Sequence, residues 1–111
     1  MESLQAVAAL AALGQESRLK AFRLLVQAGT EGMPASKISE CLGVSPSALS
    51  FHLKELAHAG LVTSRQEGRY VIYAAHYDAM NALLGFLTEN CCGGNACSVV
   101  ADTAVPAARK C

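Results

Sequence analysis

The segment VSPSALSFHLKELAHAGLV, residues 44–62, decides the fold. It predicts one amphipathic helix, and residues typical of a helix start and of a helix end flank it. Ser45 is a favourable N-cap, and Pro46 suits the first helical position. Gly60 is typical of a helix that ends in a left-handed residue. One apolar stripe is formed by Leu49, Leu53 and Leu56. The opposite face carries Ser47, Phe51, Lys54 and His58.

A shorter helix is predicted just upstream, from near Pro34 to Gly43. Ile38, Cys41 and Leu42 are spaced to face inward. The turn between the two helices, CLGVS, contains a glycine. Two short helices joined in this way match a helix-turn-helix, whose second helix can enter the major groove of DNA.

The residues after Gly60 change to a strand pattern. LVTSRQ and RYVIYAA are rich in β-branched and aromatic residues and meet across Glu67-Gly68, which predicts a hairpin, or wing. Three further helices are predicted over residues 3–13, 17–28 and 77–90. Their apolar stripes include Leu19, Phe22 and Val26 in the second, and Met80, Leu83, Leu84 and Leu87 in the last. The predicted fold class is mainly α with a small β-hairpin, a dimeric winged helix-turn-helix.

Length and composition limit the remaining possibilities. A chain of 111 residues with a hydrophobic fraction of 52% predicts one domain, and short chains often gain stability by dimerising. We expect residues 1–92 to form the DNA-binding and dimerisation domain and residues 93–111 a flexible tail. No apolar run approaches the roughly 18 residues of a membrane span, and no secretory signal is evident. The expected location is therefore the reducing cytoplasm.

The predicted helix over residues 46–58 offers a surface for DNA. Ser45 and Ser47 can contact phosphates beside the helix N-terminal amides, and Lys54 can neutralise a phosphate. Phe51 can contact a thymine methyl group or a sugar, or it can be an incidental surface aromatic or pack on a neighbouring helix. His52 lies near the leucine stripe, so it either contacts a base or is a half-buried residue that ties the helix to the core.

The wing offers two more cations. Arg65 and Arg69 flank the turn and can reach the minor groove or phosphates, although a solvated hairpin without a role is the alternative. The nine basic and nine acidic residues of the chain cancel, so the sequence lacks the basic excess usual in nucleic-acid binders. Non-specific affinity for DNA should therefore be modest and salt-dependent.

Residues 35–73, with the Ser50–Leu53 element SFHL, the segment AGLV and the glycine-tipped wing, resemble the ArsR/SmtB family of metal-responsive repressors. The resemblance covers about residues 3–92. It implies a homodimer paired through its first and last helices, which binds double-stranded, inverted-repeat operator DNA and represses until an inducer binds. The candidate DNA-binding residues are Ser45, Ser47, Ala48, Ser50, Phe51, His52, Lys54, Arg65 and Arg69.

The segment ENCCGGNAC, residues 89–97, gathers three of the five cysteines. In the cytosol, clustered thiols indicate metal binding or redox chemistry more than structural disulfides. Trivalent arsenic and antimony are soft and prefer sulfur. Adjacent cysteines in a regular helix would point about 100° apart, so the pair requires the helix to fray at Asn90. Glycines at 93 and 94 could then return a third thiol to the same ion. The predicted inducer site is Cys91, Cys92 and Cys97.

The resemblance also shows what is missing. Positions that match an arsenic site of other members are Pro34, Ser36 and Ser39, none of them a thiol. Positions that match a zinc site are Asp78, Met80, Cys91 and Gly94. The chain resembles the arsenic repressors with C-terminal cysteines, with As(III), Sb(III) or a trivalent methylated arsenical as inducer and no catalytic cofactor.

Other roles for the cysteines remain open. The three thiols can form a redox switch, or they can be incidental residues of a tail. A repressor of the same fold that responds to another metal is a further alternative, although three thiols without a nearby histidine fall short of the four ligands usual for structural zinc. Cys41 is expected to be a small core residue, and Cys111 to be incidental or to assist binding. An enzyme is not expected, since a reactive thiol favours a helix N-terminus and these cysteines follow a C-terminus.

Overall fold

The computed structural model describes residues 1–94, which form five α-helices and a three-stranded antiparallel sheet. In chain order the elements are α1 (Ser3–Leu13), α2 (Glu16–Ala28), β1 (Met33–Pro34), α3 (Ala35–Leu42), α4 (Pro46–His58), β2 (Val62–Glu67), β3 (Tyr70–Ala75) and α5 (Tyr77–Thr88), followed by a 3₁₀ turn (Cys91–Gly94). This confirms the predicted mainly helical fold with a wing. Cys97, Cys111 and most of the predicted tail lie outside the described residues. Within residues 1–94, no helix is long and apolar enough to cross a membrane.

Hydrogen bonds to Ser39 of α3 hold the turn between α3 and α4. Gly43 is left-handed (φ 67°), and its N–H donates to the Ser39 carbonyl at 3.0 Å. The Ser39 hydroxyl donates in turn to the Val44 carbonyl at 2.5 Å. Because Ser39 is buried, these bonds satisfy a polar group that would otherwise destabilise the core. The turn therefore fixes the angle at which α4 leaves α3.

The core lies where α2, α3 and α4 pack together. Its fully buried large side chains are Leu25, Ile38, Leu49, Leu53, Leu56 and Leu61. The predicted leucine stripe of α4 is thus confirmed. The prediction that Leu19 belongs to the buried stripe of α2 is wrong, because 42% of this residue is exposed. The inward face of α2 is instead formed by Ala21, Phe22, Leu24 and Leu25.

The sheet has one strand that the sequence did not predict. β1 pairs with β3, with Met33 opposite Tyr73 and Pro34 opposite Ile72, so the strand order is β1-β3-β2. The loop before β1 approaches β3 closely: a Cβ atom on Gly32 would lie 2.2 Å from the Tyr73 carbonyl oxygen. Only glycine fits there, and this contact joins the wing to the body of the protein.

Helix α5 is fastened at its start and exposed along one side. The His76 amide donates to the Leu61 carbonyl at 2.8 Å, and the Tyr77 hydroxyl donates to the Val26 carbonyl at 2.8 Å. Leu83 is its buried residue. Helix α1 packs against α5, and both helices present large apolar side chains to solvent. We call this set the α1–α5 apolar set: Leu4, Val7, Leu10, Leu84 and Leu87.

Candidate DNA-binding surface and thiol site

The N-terminus of α4 has the features of a phosphate-binding end. Ser45 is the N-cap, as predicted, and its hydroxyl oxygen accepts a hydrogen bond from the Ala48 amide at 3.2 Å. The Ser45 and Ser47 hydroxyl oxygens lie 3.4 Å apart. The predicted contact residues of α4 that are exposed are Ser45, Ser47, Ala48, Ser50, Phe51 and Lys54. The helix therefore presents small polar side chains, and the Ser47 amide, at one end of an open face.

Two rings at the middle of this face contact each other. Phe51 is 56% exposed, and its ring meets that of His52 edge-to-face, with centroids 5.8 Å apart. His52 is half-buried, as its alternative interpretation required. Its Nδ1 atom is buried, however, and has no hydrogen-bond partner among residues 1–94. His52 therefore packs toward the core without a hydrogen bond from Nδ1 to it, and Phe51 remains available to a partner.

The two wing arginines have different surroundings. The Arg65 guanidinium pairs with the Glu67 carboxylate through Nε and donates from Nη2 to the Glu31 carbonyl at 2.7 Å. Arg69 is exposed, and its side chain makes no hydrogen bond or ion pair within the described part of the chain. Beside it, Tyr70 is 57% exposed. Sequence reasoning missed Tyr70, although an aromatic residue next to a wing arginine is a signal for contact with a sugar or a base.

The cysteine pair follows the end of α5, which is Thr88 rather than Asn90. Asn90 (φ 56°) and Cys92 (φ 57°) both have left-handed backbone conformations. This geometry brings the Sγ atoms of Cys91 and Cys92 to 3.6 Å from each other. The prediction that the helix must break before the pair is confirmed. Cys97, the third predicted ligand, lies outside the described residues.

The oxidation state of the thiols bears on this site. Cys41 and Cys92 are disulfide-bonded in the structure. The disulfide partner of Cys92 is not Cys91, because their Sγ atoms lie 3.6 Å apart and an S–S bond is roughly 2 Å long. Cys41 also packs against the core, partly buried, as expected. A disulfide sulfur cannot act as a thiolate ligand, so Cys92 must be reduced before it can bind a soft ion.

The described residues contain no ready metal centre. Among residues 1–94, no group of three or more His, Cys, Asp or Glu side chains is placed to hold an ion. A three-sulfur site at Cys91 and Cys92 requires a ligand from beyond Gly94.

Comparison with known proteins agrees with this architecture. Residues 13–65 match a family model described as a helix-turn-helix domain. The HTH-type transcriptional regulator YgaV of Escherichia coli is 31% identical over 88 residues, which cover 79% of this chain and 87% of that protein. A solved ArsR-like transcriptional regulator from Rhodococcus sp. RHA1 superposes with a TM-score of 0.67 at 31% identity, over 76% of each chain. The chain belongs to the ArsR/SmtB family of winged-helix regulators.

The name of a further relative refers to arsenical resistance. A protein of Halobacterium salinarum named "Putative arsenical resistance operon repressor ArsR" is 43% identical over 67 residues, or 60% of this chain. The match spans 51% of that relative, about half of its length. The family is one of transcriptional regulators, which supports a DNA-binding regulator and not an enzyme. Helix α4 and the wing carry the residues that the sequence predicts to contact DNA.

Proposed function

We propose that the regulator is a cytoplasmic, arsenite-responsive repressor that binds inverted-repeat operator DNA as a homodimer. Binding of As(III) or Sb(III) to Cys91, Cys92 and Cys97 releases it from the operator. The observation that carries the proposal is the 3.6 Å approach of the Cys91 and Cys92 sulfurs directly after α5. A likeness to an arsenical-resistance repressor supports it further.

The sulfur geometry suits one shared ion. A metal–sulfur bond is about 2.3 Å for zinc, so two sulfurs on one ion of that size lie within about 4.6 Å of each other. The observed 3.6 Å is inside this limit, so the backbone conformation of the pair suits one shared ion once Cys92 is reduced. Gly93 and Gly94, both with positive φ, follow the pair and favour a chain reversal toward a third ligand. Thiolates in this arrangement preferentially bind a soft, three-coordinate ion.

The DNA surface suits a symmetric operator. A two-fold dimer presents two copies of α4, which can occupy successive major grooves of two half-sites one helical turn apart. Ser45 and Ser47 at the start of α4 contact phosphates, and Phe51 contacts a thymine methyl group or a sugar. Lys54 adds a cation that makes no ion pair within residues 1–94. Half-site spacing near 10 base pairs is the corresponding geometric expectation.

The inducer must favour one conformation over another, since equal binding to both shifts nothing. The thiols follow α5, and the residue before α5 contacts the segment that directly follows α4. The Nδ1 atom of His76, the residue before α5, lies 3.0 Å from the Gly60 carbonyl oxygen just after α4. A change at the end of α5 can therefore alter how α4 is held. Coupling of about 1–3 kcal/mol would weaken operator binding 5- to 150-fold.

The test is a titration of arsenite into the reduced dimer on labelled operator DNA. Cys91→Ser, Cys92→Ser and Cys97→Ser should bind DNA as the wild type does but should no longer dissociate with arsenite. Cys41→Ser is the matched control, because it removes a cysteine of α3 that is not one of the three proposed ligands. Normal arsenite-driven release in all three variants would refute the thiol site. Repeating the titration with antimonite and a trivalent methylated arsenical ranks the inducers.

A thiol-redox repressor is the second candidate, favoured by the disulfide state of Cys92. Such a protein would leave DNA on treatment with peroxide and would ignore arsenite under reducing conditions. Mass spectrometry of the released protein separates the two candidates. A loss of two hydrogen atoms per disulfide, with peroxide as the two-electron oxidant, indicates redox sensing, whereas a bound arsenic atom indicates the proposed function.

A further inference from the structure

One wing arginine is already engaged inside the protein. Arg65 donates from Nη2 to the Glu31 carbonyl at 2.7 Å, across 34 residues of sequence, and pairs through Nε with Glu67. The first contact reaches the loop between α2 and β1. The second contact stays within β2. A single guanidinium thus connects the wing strand to the body of the fold.

The strand register shows how far this side chain extends. Arg65 lies opposite Ile72 of β3, and Ile72 lies opposite Pro34 of β1. Strand β3 is therefore between Arg65 and β1. The Arg65 guanidinium on β2 therefore donates to a carbonyl of the loop before β1, although β3 lies between the two strands. Arg65 joins both edges of the three-stranded sheet.

The acceptor carbonyl is held in place. The Gly32 amide donates to the Gly29 carbonyl at 3.1 Å, which closes a turn around Glu31. Gly32 also packs against the Tyr73 carbonyl with no space for a side chain. Because the loop is fixed against β3, a hydrogen bond to Glu31 fixes the position of β2 relative to that loop.

We propose that Arg65 is a positioning residue that sets the orientation of the wing, and that Arg69 supplies the wing's phosphate contact. A planar guanidinium can make two hydrogen bonds in fixed directions, which an ammonium group cannot. The Glu67 carboxylate offsets the Arg65 charge, whereas Arg69 has no such partner among residues 1–94. This inference depends on operator binding by the proposed repressor and not on its arsenite response.

The salt dependence of operator binding separates the two arginines. Each phosphate contact contributes about −0.9 to the slope of log K against log salt, so two wings contribute roughly −1.8. Arg69→Gln should reduce the slope by about this amount. Arg65→Gln should leave the slope unchanged while weakening binding by the same factor at every salt concentration. Lys20→Gln, which removes an exposed cation on α2, controls for loss of one charge and should change neither quantity.

A lysine substitution distinguishes positioning from simple attraction. Arg65→Lys keeps the positive charge but cannot hold both Glu31 and Glu67 in the observed geometry. We expect it to behave like Arg65→Gln, with an unchanged slope and binding weakened by the same factor at every salt concentration. Hydroxyl-radical protection of the half-sites and of their flanks should then remain, because Arg69 still contacts DNA once the wing is oriented. Wild-type affinity and slope in Arg65→Lys, or a reduced slope in Arg65→Gln, would overturn the proposal.

A measurement on the free protein is independent of DNA. The Arg65 Nε–H resonance should be resolved and slow to exchange with solvent before DNA is added, and it should move little when operator DNA binds. A fast-exchanging Arg65 signal that shifts on binding would also overturn the proposal. If the wild type bound no DNA at all, the proposed function would fail, and this NMR result would still decide whether Arg65 holds the wing.

Discussion

Replacing Leu84 and Leu87 of α5 together by glutamine should convert the dimer into a folded monomer. These residues are 53% and 55% exposed in the single chain, so about half of each side chain remains to be buried by a partner. Full burial of a leucine is worth about 1.5–3 kcal/mol, which leaves roughly 1 kcal/mol for each half-exposed copy. A two-fold dimer contains four such copies. The expected loss is therefore about 4 kcal/mol of association free energy, or close to a 1,000-fold rise in the dimer dissociation constant.

Sedimentation equilibrium over a range of protein concentrations measures this constant directly. Thermal unfolding should show that each chain of the variant remains folded. Substitutions of exposed residues usually change the free energy of unfolding of a single chain by less than about 0.5 kcal/mol. Val71→Thr is a suitable control, since Val71 is an exposed apolar residue on the wing and outside the α1–α5 apolar set.

The same variant should lose operator affinity, because two half-sites can then no longer be bound as one unit. A double variant that still sediments as a dimer with the wild-type constant would refute the assignment of this face to pairing. The pairing surface would then have to lie elsewhere on the regulator, and the large apolar side chains of α1 would need another explanation.

Three further substitutions test the fold and the DNA surface. Leu53→Ala, at a fully buried position of α4, should destabilise the protein by about 2–5 kcal/mol in urea denaturation; a loss below 1 kcal/mol would argue against the described core. Ser45→Asp should keep the helix cap and the melting temperature but weaken operator binding in fluorescence anisotropy, whereas unchanged affinity would exclude a phosphate near Ser45. Gly32→Ala should lower the free energy of unfolding by about 3 kcal/mol or more, because Gly32 combines a positive φ with a close contact at Tyr73. Gly43→Ala also has a positive φ but open space around it, and it should lower that free energy by only about 1 kcal/mol. Equal melting temperatures of the two variants would contradict the close approach of the loop to β3.

The elements that sequence reasoning predicted well are those with strong local signals. Helix α4 has a cap at Ser45, a proline at its first position and a leucine stripe, and it begins and ends where these residues indicate. The hairpin was found from its β-branched runs. By contrast, β1 has only two residues, so it has no periodicity to detect, and it exists because β3 offers edge hydrogen bonds.

For the candidate sites, the sequence predicted which residues to consider and where the helix must end, but it did not predict the contacts between side chains. The pattern of cysteines suggested that the chain must break after α5, and the positive φ angles of Asn90 and Cys92 supply that break. The contact of Arg65 with Glu31 could not be predicted, since it depends on how three strands align. Leu19 was assigned to the core because helical spacing alone does not say which of two neighbouring stripes faces inward.

In α5 and the turn that follows it, Leu83 is the last buried residue, so the thiols lie beyond the part of the described chain that packing constrains. Substituting Leu49, Leu53 or Leu56 removes contacts from the core, whereas substituting Cys91 or Cys92 removes none of the described core contacts. The end of α5 can therefore be redesigned with different ligand side chains while the packing of α4 is kept.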